Sequence, residues 1–139
     1  MSPWIYSPHE GGIKIPDIVK ARTRDRIFGH AAKYYAGKFA RIEVRFRGAL
    51  CYVDAFEEPR IGDDFPPPGW PESREQAIER MRNIPTHLVR LRFFGNEDRW
   101  TLAFFTYSRE VYEPCMFPNG DDWGTPEEAF DVGAVYLGA

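Results

Sequence analysis

A chain of 139 residues with 43% hydrophobic and 16% aromatic content carries enough apolar surface for one packed core, which excludes general disorder. No apolar run approaches the ~20 residues that a membrane helix needs, so no membrane partner is expected. The net charge of −3 is unevenly spread: residues 1–47 hold ten Lys and Arg against four Asp and Glu, and residues 48–139 hold eight against seventeen.

All four lysines precede residue 40 and the other fourteen cations are arginines, whose rigid donor fork suits phosphate, carboxylate and base edges. The N-terminal Met1-Ser2-Pro3-Trp4-Ile5-Tyr6-Ser7-Pro8 shows neither the charged leader nor the apolar stretch of a secretion signal, so a cytoplasmic location is expected. Cys51 and Cys115 lack CxxC spacing and a nearby His cluster, and read as two reduced thiols rather than a disulfide or metal site.

Residues 1–14, with Pro3, Pro8, Gly11 and Gly12, read as an extended arm. Pro8-His9-Glu10-Gly11-Gly12 lacks the spacing of a Walker or dinucleotide loop; it is either an anion nest or an arm that docks on the body. Pro16 and Asp17 open a long helix over about residues 16–36, with an apolar stripe of Ile15, Val19, Ile27, Ala31 and Tyr34 flanked by Ile18 and Tyr35. Gly37 stops it.

Alternation on both sides of Arg47-Gly48 predicts a hairpin of strands 41–46 and 49–56, with Val44 facing Cys51 and Ile42 facing Val53. In that register Arg41 faces Asp54, Glu43 faces Tyr52 and Arg45 faces Leu50. Residues 57–72, which include Pro66-Pro67-Pro68-Gly69-Trp70-Pro71, form a stiff connection within the domain. Ser73 and Gln76 make a capping box for a short helix to about Asn83, its apolar face Ala77, Ile78 and Met81. A second hairpin pairs Thr86–Phe93 with Trp100–Tyr107, and Val111–Phe117 adds a strand that Pro114 marks as an edge or bulge. Thr125-Pro126-Glu127-Glu128 caps a last short helix that Gly133 closes, and Ala134–Leu137 reads as a final strand.

The expected fold is therefore α+β, one domain over residues 1–139. Its antiparallel sheet has four to six strands from two helix–hairpin units, joined by one long N-terminal helix and two short ones. The echo between Val44-Arg45-Phe46-Arg47 and Val89-Arg90-Leu91-Arg92 suggests similar roles for the two strands.

Side chains alternate across a strand, so Arg41, Arg45, Arg90 and Arg92 belong on the side opposite Val44, Phe46, Val89, Leu91 and Phe93, with Arg47 beside them unless the turn redirects it. Tyr52 and Thr101 lie between them, and Leu50, Phe94 and Phe105 make the face part apolar. The arginines either pair with Glu43, Asp54, Glu57 or Glu58 and solvate the sheet, or hold phosphates while Tyr52 stacks a base. His9, His30 and His87 are scattered without metal-ligand spacing; His87, near the arginines, and Glu43 are the candidates for proton transfer. Glu43 and Asp54 would be diagonal neighbours, placed to share a divalent ion or to pair with Arg41. No nucleophile motif and no cofactor motif occurs.

Several strings together are Pro8-His9-Glu10-Gly11-Gly12 with Lys14-Ile15-Pro16, Tyr35-Ala36-Gly37-Lys38, Cys51-Tyr52-Val53-Asp54-Ala55, Tyr112-Glu113-Pro114-Cys115 and Gly124-Thr125-Pro126-Glu127-Glu128-Ala129-Phe130. With Val44-Arg45-Phe46-Arg47-Gly48 they resemble a group of small bacterial proteins of no assigned function. The likeness spans nearly the whole chain and implies a complete bacterial cytoplasmic domain, but no activity and no site residue. Three functions follow from the residues. The first is a binding protein whose arginine face, Arg45, Arg47, Arg90 and Arg92 with Tyr52 and the basic first helix, engages an anionic partner, above all nucleic acid. The second is a small metal-independent ribonuclease or other phosphodiesterase of the toxin type. The third is a subunit that meets an acidic protein surface.

Overall fold

A computed structural model of the chain describes residues 9–138, so most of the predicted arm lies outside the described residues. Three α-helices accompany a five-stranded antiparallel sheet, in the order α1 (Asp17–Tyr34), β1 (Arg41–Arg47), β2 (Leu50–Phe56), α2 (Arg74–Arg82), β3 (Thr86–Phe93), β4 (Trp100–Thr106), β5 (Val111–Cys115) and α3 (Pro126–Gly133). The strands lie side by side in chain order. No helix among the described residues is long and apolar enough to cross a membrane.

The first hairpin turns at Gly48-Ala49, one residue later than the sequence suggests. Gly48 takes a φ of 59°, a left-handed backbone that glycine adopts without a Cβ penalty. The later turn moves every partner by two: Val44 pairs with Val53, Phe46 with Cys51, Arg45 with Tyr52, Glu43 with Asp54 and Arg41 with Phe56. Because the shift is even, the faces do not exchange, and Val44, Phe46, Cys51 and Val53 still share the buried side.

That side meets α1 and α3. Val19, Thr23, Ile27 and Ala31 recur every fourth residue along α1 and are buried, with Ala129 and Phe130 of α3 beside them and Trp100, Leu91 and Leu102 beneath. Thr23 fills the gap in the predicted stripe, whereas Tyr34 and Ile18 point outward at 60% and 59% exposure, and Tyr35 packs on the core instead. A Cβ on Gly133 would lie 2.7 Å from that of Leu88, so the bare glycine lets α3 close onto β3. Cys51 is buried, Cys115 half-buried, and both are free. Burial pushes the Cys51 thiol far above its ordinary range.

Three further expectations change. Both capping boxes form, at Ser73–Gln76 and Thr125–Glu128, but α2 adds nothing to the core cluster, so the helical layer is α1 with α3 and not two helix–hairpin units. Residues 134–136 form a 3-10 turn and not a strand, its Tyr136 ring stacked on Phe104. The three arginines of α1 are used internally: Arg22 pairs with Glu97 at 2.7 Å, Arg26 with Glu127 at 2.8 Å and Asp98 at 2.9 Å, and Arg24 lies over the Phe46 ring. They tie the helix to the β3–β4 loop and α3, so a basic outer helix face is not what they make. Ile13 and Ile15 donate to Phe93 and Gly48 carbonyls, so the described end of the arm is docked on the two hairpin ends.

Candidate functional site

The side of the sheet away from α1 and α3 carries the arginines. One row crosses all five strands as Arg45, Tyr52, Arg90, Ala103 and Pro114, and the next runs Arg47, Leu50, Arg92 and Thr101. Arg45, Arg47, Tyr52, Arg90 and Arg92 thus share one face, with Arg41 at its end. Five arginines there meet three carboxylates, Glu43 and Asp54 in the strands and Glu10 of the arm near Arg92, so the face is locally positive on an acidic protein.

On the other flank of the Arg45 row, a β-bulge sets the chemistry. Val53 pairs with Val89, yet the next residue, Asp54, pairs with His87, leaving Leu88 as the extra residue. Simple alternation from Val89 would turn His87 into the core. The bulge sends Leu88 inward to full burial and His87 outward, opposite Asp54.

Asp54 has a side chain only 3% exposed, and both of its oxygens are engaged. Arg45 donates from Nη2 to Oδ2 at 2.9 Å, and His87 Nδ1 bonds Oδ1 at 2.8 Å. A carboxylate only accepts, so the Nδ1 proton is fixed and Nε2 is the nitrogen left for a ligand. The imidazole is 31% exposed and packs on Phe105 at 4.8 Å, while its backbone N–H donates to the Tyr107 hydroxyl at 2.7 Å. Around it, Phe105, Tyr112 and Tyr52 form an edge-to-face chain, with centroids 5.1 and 5.6 Å apart.

Each of three arginines lies over a ring: Arg41 on Phe56 at 3.8 Å, Arg45 on Tyr52 at 5.1 Å and Arg90 on Tyr112 at 5.4 Å. Such contacts hold the guanidinium groups in place more firmly than solvent would. Tyr52 therefore does not offer a bare ring, because Arg45 covers it. Tyr112 has a buried hydroxyl with no hydrogen-bond partner among the described residues, and burial together with the Asp54 charge keeps the phenol protonated far above its usual range. Arg92 donates to the Gly11 carbonyl at 2.9 Å and so anchors the arm. Burial and the neighbouring Arg90 charge lower its pKa from the ordinary guanidinium value. Arg47 and Arg90 have no ion-pair partner among the described residues.

Glu43 sits 3.7 Å from Arg45 Nε as its ion-pair partner. The carboxylate that serves His87 is Asp54, which the sequence reading pairs with Arg41. Its signal is an acid in the apolar run Cys51–Phe56; strand alternation already puts Phe105 on this face, whereas Tyr112 carries no signal, because only the sheet brings it there. Among the described residues no three His, Cys, Asp or Glu side chains converge as a metal site.

A second histidine–carboxylate contact, His30 Nε2 with Asp131 Oδ1 at 2.7 Å, shares its oxygen with the Tyr35 hydroxyl and links α1 to α3. A cleft of about 500 Å³ lies between Gly37–Ala40, Glu57–Arg60 and the end of α2, and none of the open-face arginines lines it. Comparison of the chain with known protein families, with curated proteins and with solved structures returns no match.

Proposed function

We propose that the open face of the sheet binds single-stranded nucleic acid. The observation that carries this reading is the row Arg45–Tyr52–Arg90, in which two guanidinium groups from β1 and β3 flank a ring. Phosphates alternate with bases along a single strand, and cations interleaved with rings match that alternation. Arg90 and Arg47, which have no carboxylate partner among the described residues, are the phosphate contacts, with Arg92 beside them. Arg45, one side of which rests on Tyr52, offers its free N–H edge to a phosphate and its open side to the adjoining base. An acidic peptide would need the cations but would leave the rings unused.

The test is a titration of a fluorescent decanucleotide across about 20 to 200 mM salt. Each phosphate neutralised on a single strand contributes a slope of roughly −0.7 in log K against log salt. Two to four contacts give a slope between about −1.4 and −2.8. Binding that does not change with salt, or no binding at 20 mM, would overturn the proposal.

A further inference from the structure

We infer that the Asp54–His87 pair makes the same face an acid–base centre that cleaves RNA through the substrate's own 2′-hydroxyl. The inference rests on the nucleic-acid reading of the face and adds a reaction to it. One buried carboxylate joins a phosphate-binding group to a base: Asp54 holds Arg45 through one oxygen and His87 through the other, at 2.9 and 2.8 Å. Guanidinium and imidazole are therefore locked side by side, and a phosphate on Arg45 brings its ribose to the imidazole.

The pair has the features of a general base. Asp54 fixes the Nδ1 proton, so Nε2 carries the free lone pair, and the Asp54 bond together with the packed Phe105 ring holds the imidazole against rotation. No hydroxyl or thiol among the described residues is hydrogen-bonded to the His87 ring, and the nucleophile comes with the substrate. RNA brings one next to every phosphate; DNA does not.

The step balances without a co-reactant. His87 Nε2 takes the proton from O2′ as O2′ bonds to phosphorus, and the P–O5′ bond breaks. The imidazolium or a water molecule returns a proton to O5′. The products are a 2′,3′-cyclic phosphate and a 5′-hydroxyl. Arg45 and Arg90 face the non-bridging oxygens, whose charge grows as the fifth bond forms. Asp54 acts as a positioning residue, since it touches His87 and not the substrate.

The experiment compares a short oligoribonucleotide with the same sequence made entirely of 2′-O-methyl residues, with the intact protein. Both strands should bind alike, and only the first should yield fragments ending in 2′,3′-cyclic phosphate by mass spectrometry. His87→Gln should cut the cleavage rate at least about 100-fold, the low end for a lost general base, while 2′-O-methyl binding stays within about twofold. The strand comparison uses the unaltered protein, so it stands even if the variant folds poorly. RNA that binds and remains intact, cleavage of the 2′-O-methyl strand, or undiminished cleavage by folded His87→Gln would each overturn the inference. Failure of both strands to bind would overturn the nucleic-acid reading beneath it.

Discussion

Replacing Asp54 by alanine is expected to lower the unfolding free energy by about 3 kcal/mol, read as a shift of the urea midpoint at unchanged slope. The carboxylate is almost wholly buried and accepts from two donors, so the substitution opens a small void and strips both Arg45 and His87 of their partner. Breaking a buried charged hydrogen-bond pair costs roughly 3–5 kcal/mol, and a buried donor left without a partner roughly 1–3 kcal/mol. The lower part of that range applies because Arg45 is 47% exposed and can turn to water or to Glu43, which already lies 3.7 Å away. Asp54→Asn keeps the shape and one acceptor, and should lose less. A loss below about 0.5 kcal/mol for the alanine variant would mean that Asp54 does not organise the face.

The double substitution Arg47→Gln with Arg90→Gln should weaken oligonucleotide binding about 10- to 100-fold at low salt and flatten the salt slope by about 1.4, the share of two single-strand phosphate contacts. Folding stability should stay within about 1 kcal/mol, since neither arginine has a carboxylate partner among the described residues and half-exposed charges contribute little. Arg45 is the wrong residue for this test despite its place in the row. It looks like an exposed strand arginine in the sequence, yet it supports a buried acid, so Arg45→Gln would mix a folding cost with a binding loss. Unchanged affinity in a folded double variant would move the interface elsewhere.

The parts of the fold that were legible depended on short-range chemistry. Ser73 with Gln76 and Thr125 with Glu128 announce their helices because a capping side chain needs a partner three residues away. Period-two alternation placed Arg45, Arg90 and Arg92 on one side, since a strand leaves no other choice once Val44, Val89 and Leu91 are buried. What the chain did not show depended on long-range packing. The turn could sit before or after Gly48, and the register follows only from which choice lets the strands meet. The bulge at Leu88 has no local signature; there Leu88 packs against Gly133 of α3, a neighbour distant in the chain, and the bulge decides that His87 meets Asp54. The same holds for α1, whose arginines read as a basic surface until Glu97, Asp98 and Glu127 are folded against them.

The most direct test of the nucleic-acid face is residue-resolved: amide and arginine Nε–Hε shifts of the ¹⁵N-labelled protein, recorded while a 2′-O-methyl decanucleotide is added. The account predicts that the largest changes fall on Tyr52, His87, Arg90 and Tyr112, the open-face residues of β2, β3 and β5, while Val19, Ile27 and Phe130 on the helical side stay fixed. Changes concentrated on α1 and α3, with the Arg45–Tyr52–Arg90 row undisturbed, would contradict it.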